Sequence, residues 1–225
     1  MPDNTHGELA SLQAALVAGA RSLGLQLTAN DVARLLAITS LLADWNTRIN
    51  LTAIVEPAAM LTHHLLDSLS VHAHLQGRRV ADVGTGAGFP GLPLALVQPH
   101  RHFTLIDSVA KKLRFVTHAA QLAGIGNITT VHARCEDFPR GFPPSSPPHF
   151  DTVIARACKP LPELLPLVQP LCGPATLVLA MKGPRVTQEI AALGPGWRVT
   201  SVTDLLVPGL DGTRKLVALR AATSV

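Results

Sequence analysis

Val80-Ala81-Asp82-Val83-Gly84-Thr85-Gly86-Ala87-Gly88-Phe89-Pro90-Gly91 is the stretch that decides the fold class of this chain. Val80 to Val83 is a short, mostly apolar run ending at glycine, the pattern of a buried strand. The glycines that follow form a loop in which a ligand can lie against bare backbone, because glycine has no Cβ and tolerates positive φ. Pro90 has the fixed φ of a first helical residue, so the segment reads as strand, glycine loop and helix. Gly86-Ala87-Gly88-Phe89-Pro90-Gly91 satisfies G-x-G-x-x-G, the dinucleotide fingerprint. The competing reading, a plain glycine turn in an α/β protein, loses ground because the motif sits inside a longer pattern.

That longer pattern, Asp82-x-Gly84-x-Gly86-x-Gly88, resembles motif I of S-adenosylmethionine (SAM) dependent methyltransferases. Charge separates the two ligand classes. A dinucleotide places a pyrophosphate at this turn and at the helix N-terminus, where Asp82 would repel it. SAM has no phosphate and carries an ammonium and a sulfonium, which a nearby carboxylate favours. Asp107 closes the apolar run His102-Phe103-Thr104-Leu105-Ile106. An acid there can hydrogen-bond ribose hydroxyls of either cofactor and does not discriminate.

The flanking elements extend the reading. Strand patterns fall at 79–84, 102–107, 128–131, 150–155, 174–181, 197–203 and 214–221, with helical patterns at 90–97, 109–123, 160–168 and 185–193. Alternating β and α implies a mostly parallel sheet covered on both faces. The last two strands lack a helix between them and predict an antiparallel hairpin around Pro208-Gly209-Leu210-Asp211-Gly212. Residues 1–75 read as a helical extension of the cofactor domain at 76–225. Leu9, Leu12, Leu16 and Leu23 mark a first helix, and Asn30 or Asp31 is a candidate cap for a second. A third, starting after Pro57, reaches Val71. Pro139 to Pro148, rich in Pro and Ser, reads as a surface loop.

Composition narrows the function classes. At 225 residues, with 47% hydrophobic and 15% charged residues, the chain fills a core and is not disordered. A net charge of +4 suits an anionic partner such as nucleic acid. With no tyrosine, base stacking depends on few side chains. Cys135, Cys158 and Cys172 have no C-x-x-C spacing, so neither a disulfide framework nor a zinc site is indicated. His63, His64, His72 and His74 fall in one helical pattern without H-E-x-x-H, and no metal is expected. Asp3 and Glu8, with no early basic cluster, do not make a secretory signal. No apolar run of roughly 18 residues is present, so a cytoplasmic protein without a membrane partner is expected.

Ligands of such sheets sit beyond the carboxyl ends of the strands, which gives weight to Asp107-Ser108, Arg134-Cys135-Glu136, Arg156 and Lys182-Gly183. Together with Asn50-Leu51-Thr52, His64-Leu65-Leu66-Asp67-Ser68-Leu69, Lys111-Lys112, Phe150-Asp151, Ala155-Arg156-Ala157 and Met181-Lys182-Gly183, these segments follow one family order over about residues 45–220. They resemble the bacterial small-subunit ribosomal RNA guanine-N7 methyltransferase G family (glucose-inhibited division protein B). The resemblance implies a class I SAM-dependent methyltransferase: a Rossmann-like, seven-stranded, mostly parallel sheet with an N-terminal helical extension. It implies SAM held by the loop of Gly84, Gly86, Gly88 and Phe89, by Cys135 with Glu136, and by Arg156, with Asp107 at the ribose. The expected partner is 16S rRNA or the small ribosomal subunit, in a partly assembled state or otherwise, met by a monomer.

The implied chemistry is undemanding. Guanine N7 already presents a lone pair, so no proton need leave it and alignment with the sulfonium suffices. After the 150–155 strand stands Arg156-Ala157-Cys158-Lys159, not the Asn/Asp-Pro-Pro-aromatic motif of exocyclic-amine methyltransferases, and Cys158 does not follow proline as a cytosine-C5 nucleophile would. Arg156 and Lys182 are the candidates for meeting the acceptor base. Arg156 suits cofactor or phosphate through its planar fork, against a structural salt bridge; Lys182 suits phosphate or guanine O6, against a solvated strand end. Asn50, Thr52, His64, Asp67 and Ser68 either cover the active site or cap helices. Lys111, Lys112 and Arg114 read as one solvated helix face, and Arg34, Arg48, Arg185, Arg214, Lys215 and Arg220 are dispersed. Two other classes stay open at this level: an NAD-dependent oxidoreductase, and a non-catalytic RNA-binding module of ribosome assembly.

Overall fold

Strand β1 (Arg79–Val83) lies at the middle of a seven-stranded sheet of order β3-β2-β1-β4-β5-β7-β6 in a computed structural model that describes residues 3–141, 149–156 and 159–222. The other strands are β2 (His102–Asp107), β3 (Ile128–His132), β4 (Phe150–Arg156), β5 (Cys172–Lys182), β6 (Trp197–Asp204) and β7 (Lys215–Ala221). The first five pair in parallel, and β7 inserts antiparallel between β5 and β6. The hairpin expected around residues 208–212 is therefore present. The Ala157 and Cys158 positions, and most of the proline-rich loop (142–148), lie outside the described residues.

Alternation along the strands sorts two cores. Phe103, Leu105, Ile154, Leu177, Leu179, Leu216 and Ala218 face one side, while Val83, Ile106, Val153, Val178, Val217 and Leu219 face the other. The second side is covered by α7 (Leu161–Val168) and α8 (Val186–Ala191). The first is covered by α5 (Gly91–Val97), α6 (Ala110–Leu122) and the N-terminal helices α1 (Asp3–Ser22) and α2 (Ala29–Asn46). Leu16, Leu35, Ile38 and Leu42 are fully buried in that same cluster. Each contributes about 1.5–3 kcal/mol of burial. The change at residue 75 is thus one of element type, and the apolar core runs across it without a break.

Two helix starts differ from expectation. Helix α2 is capped by Thr28, not by Asn30 or Asp31: the Thr28 hydroxyl accepts from Asp31 N and the Asp31 carboxylate accepts from Thr28 N. Asp31 is the third residue of a capping box, which satisfies two end donors reciprocally. Pro90 is the N-cap of α5, with φ −91°, and Gly91 is the first helical residue. The third N-terminal helix is also interrupted. It runs as α3 (Pro57–Met60), a π-helical turn Leu61–Leu66 and α4 (Asp67–Leu69), and His72–His74 form a separate 3₁₀ turn. The four histidines consequently do not share one helix. No helix among the described residues is long and apolar enough to cross a membrane.

Candidate cofactor and substrate site

The loop after β1 is pinned to β2 by backbone. Gly84 N and Thr85 N both donate to Ile106 O, at 2.9 and 3.1 Å. Gly84 and Gly86 have φ of 65° and 60°, a region that side chains with a Cβ enter at a cost of roughly 1–2 kcal/mol. Gly86 N donates to Asp107 Oδ2 (2.9 Å) and Val109 N to Asp107 Oδ1 (2.8 Å), so one carboxylate fixes both walls of the crevice. An ionised carboxylate has about four acceptor positions, so further ones stay open to hydroxyl donors.

A crevice of about 310 Å³ opens at the carboxyl ends of β1, β2 and β3, at the low end of the range for small-molecule sites. Gly84, Asp107, Ser108, Arg134, Cys135 and Glu136 line it. A Cβ on Gly86 would meet only Gly84 O, at 3.9 Å, and otherwise enter open space. Bare backbone, an acceptor carboxylate and apolar walls from Val83 and Ile106 fit the nucleoside of SAM. The expected positions Gly84, Asp107, Cys135 and Glu136 are brought together here. Cys135 is buried, and Glu136 lies 3.9 Å from the guanidinium of Arg134. Ser108, Ala133 and Leu167 also line the crevice. The sequence already places Ser108 among the candidates after β2, and the same position after β3 could have flagged Ala133, but not Leu167, which arrives from α7.

Gly88 and Gly91 serve packing. A Cβ on Gly88 would stand 2.5 Å from Leu92 Cδ1, and one on Gly91 would stand 2.7 Å from Asp82 Oδ2. Asp82 corrects the charge argument made from the sequence. Its side chain is fully buried beneath the loop, accepting from Thr85 Oγ1 (2.6 Å) and Gly91 N (2.8 Å). It caps α5 instead of facing a cationic ligand. Desolvation raises its pKa to about 6, and Oδ1 has no hydrogen-bond partner among the described residues.

A second cluster lies beside Phe89, outside the crevice. The His64 ring stacks on Phe89 with centroids 4.8 Å apart, and its Nε2 is 2.9 Å from Thr52 Oγ1. Burial, and next the charge of Arg156, lower the His64 pKa to about 4, which keeps the ring neutral. Asn46, absent from the sequence candidates, shapes the chain before it by accepting from Leu51 N and Thr52 N and donating to Thr52 O. Arg156, at the end of β4, donates to His63 O (2.7 Å) and Asp67 Oδ2 (3.0 Å) and lies 5.7 Å from the Phe89 ring centroid. Arg214 reaches the other oxygen of Asp67, at 3.3 Å. Arg156 thus occupies the structural salt bridge weighed from sequence.

Lys182 also turns inward. Its Nζ donates to Lys159 O (2.6 Å) and pairs with Glu189 Oε2 (2.9 Å), with 7% of the side chain exposed. The same Glu189 oxygen accepts from Leu161 N. The lysine joins β5, α7 and α8, and a contact with phosphate or guanine O6 requires breaking that pair. Neither a solvated strand end nor an open cation describes it. Among the described residues, no cluster of His, Cys, Asp or Glu is arranged to hold a metal.

A glycine loop at the end of β1, an acid at the end of β2 and an antiparallel β7 between β5 and β6 define a class I SAM-dependent methyltransferase. Its fold is similar to that of an O-methyltransferase from Bacillus cereus solved with SAH, with a TM-score of 0.57 at 17% identity over 83% of this chain and 90% of that one. The family model described as rRNA small subunit methyltransferase G (GidB) matches residues 31–217. Relatives named ribosomal RNA small subunit methyltransferase G are 42% identical over 88% of the chain, covering 92% of the protein from Escherichia fergusonii and 93% of that from Cronobacter sakazakii. The chain belongs to the rRNA small subunit methyltransferase G family and is a SAM-dependent methyltransferase. The oxidoreductase and non-catalytic readings are set aside on those grounds.

Proposed function

We propose that this protein transfers the methyl group of SAM to N7 of one guanine in 16S rRNA, acting as a monomer in the cytoplasm on the RNA or a partly assembled small subunit. The observation that carries this reading is that three of the acidic and imidazole groups nearest the glycine loop, Asp107, Asp82 and His64, are tied into the fold. Asp107 holds two backbone amides, Asp82 is sealed under the loop, and His64 is fixed between Thr52 and Phe89. None is placed as a general base, and N7, with its lone pair in the plane of the ring, needs none.

Bound SAM supplies an electrophilic methyl carbon on its sulfonium. Gly84 and Gly86 let the ligand approach the backbone, Asp107 accepts from hydroxyls, and the chain at Cys135 and Glu136 closes the opposite wall. Arg156, at the end of β4, holds the segment of His63 and Asp67 in place beside Phe89. The rate advantage then comes mainly from alignment, which can supply about 7–11 kcal/mol in well-oriented reactions.

The test is methylation of small subunits and of naked 16S rRNA lacking the mark, read by borohydride and aniline scission, which cuts RNA at N7-methylguanosine. Single-turnover rates at saturating RNA are expected to stay flat from about pH 6.5 to 8.5, because no essential base titrates. Methylation at another atom, or a tenfold rise following one ionisation, overturns the reading.

A further inference from the structure

Most of the cations named above are engaged. Arg34, Arg156, Lys159, Lys182, Arg214 and Lys215 each face a carboxylate. Lys111, Lys112 and Arg114 on α6 make no ion pair or hydrogen bond among the described residues. The helix, AKKLRFVTHAAQL, contains no acidic residue. Lys111, Arg114, His118 and Gln121 recur at intervals of three and four and so share one face.

The fold gives that face a neighbour. Arg114, Thr117, His118 and Gln121 line a groove of about 410 Å³ together with Thr130 and His132 of β3, the outermost strand of the sheet. No lining residue is acidic. His132 Nε2 lies 3.1 Å from Ser108 O, and Ser108 and Arg134 line the cofactor crevice. The groove and the crevice therefore meet across the carboxyl end of β3.

We propose that the groove between α6 and β3 docks the phosphate backbone of the substrate RNA on one side of the reacting guanine. This rests on the rRNA reading above and adds where the strand runs. Unpaired cations on one helix face repel each other until an anion arrives, and binding then releases counterions from the RNA. The hydroxyls of Thr117 and Thr130, 3.2 Å apart, share one hydrogen bond and leave one donor between them, which with the amide of Gln121 adds neutral donors of the kind that position phosphates. An acidic protein partner fits less well, because protein interfaces centre on buried aromatic or apolar anchors. Here the ring of His118 is already laid against Trp45, at 5.7 Å, and six of the eight lining residues carry polar or charged side chains.

The experiment uses the full chain, SAM and a labelled 16S rRNA fragment, with RNA affinity measured at several salt concentrations. The double variant Lys111→Ala/Arg114→Ala is compared with Arg198→Ala, an exposed cation on β6 at the opposite sheet edge. Losing two phosphate contacts is expected to flatten the slope of log affinity against log salt by about 1.4, at about 0.7 per contact to a single strand. Arg198→Ala is expected to leave the slope unchanged, and SAM affinity of the double variant to stay within twofold of wild type. Lys111→Glu/Arg114→Glu is expected to weaken RNA binding at least tenfold. An unchanged slope in the double variant, or equal flattening by Arg198→Ala, overturns the proposal. Loss of binding to the assembled subunit but not to naked rRNA overturns it in favour of a protein contact. Wild-type protein that neither binds nor methylates rRNA removes the substrate reading itself, and this proposal with it.

Discussion

Replacing Asp67 by Ala tests how the N-terminal helices are tied to the sheet. Asp67 lies in α4, and its carboxylate, 3% exposed, holds Arg156 from β4 and Arg214 from the turn before β7. The alanine leaves two guanidinium groups facing a cavity without a counter-charge. Removing one partner of a fully buried pair costs about 3–5 kcal/mol. Arg156 is 18% exposed and Arg214 32%, and Arg156 keeps its bond to His63 O, so partial rehydration lowers the expectation to about 2–4 kcal/mol. With a urea m-value of about 3 kcal/mol per molar, the unfolding midpoint should fall by about 1 M. Arg214→Ala, which removes the longer and more exposed partner, should cost less than Arg156→Ala. A double-mutant cycle between Asp67→Ala and Arg156→Ala should return a coupling of at least about 1 kcal/mol. A midpoint within 0.2 M of wild type (~0.6 kcal/mol at that slope) would refute the idea that this triad joins the layers.

The pH dependence of stability should split when two buried groups are separated. The Asp82 pKa is raised to about 6 and the His64 pKa lowered to about 4. Between about pH 4 and 6 the folded state holds more protons at Asp82, so that group makes stability fall as pH rises. Between about pH 4 and 6.5 the unfolded state holds more at His64, so that group makes stability rise. Asp82→Asn should leave a steeper gain in stability with rising pH, and His64→Gln a loss, in urea unfolding at several pH values; parallel curves for both variants would contradict the assignment. Gly86→Ala should lower SAM affinity at least tenfold in calorimetry while costing only roughly 1–2 kcal/mol of stability from its positive φ. Gly88→Ala should do the reverse, losing about 2–4 kcal/mol through strain and overpacking against Leu92. Lys182→Ala should destabilise the protein by about 2–4 kcal/mol, because it strips Glu189 of a buried partner, yet leave the salt dependence of RNA binding unchanged. A flattened salt slope would show that the lysine reaches phosphate.

Periodicity carried the order of elements, because burying β1, β2, β4 and β5 on both faces requires runs such as Val80–Val83 and Thr176–Met181, which any register of folding would expose as strands. The motif around Gly84 and Gly86 was equally legible, since positive φ and an absent Cβ are properties of residue type. Asp107 was readable as the acid that ends β2, although its hold on the amides of Gly86 and Val109 was not. The roles of charged residues were decided elsewhere. Asp82 and Asp107 look alike in sequence, yet one is sealed beneath the loop and the other opens on the crevice. Asp67 and Arg214 are 147 residues apart, and only the insertion of β7 between β5 and β6 brings them together. Lys182 and Lys111 are both lysines near the carboxyl side of the sheet, but Glu189 from α8 meets the first and no acid meets the second. Local sequence determines where a chain can bend, cap or bury a side chain, because those preferences act over a few residues. Whether a charge is paired, buried or left facing solvent depends on which distant carboxylate the packing delivers to it, and that was decided by the tertiary structure alone.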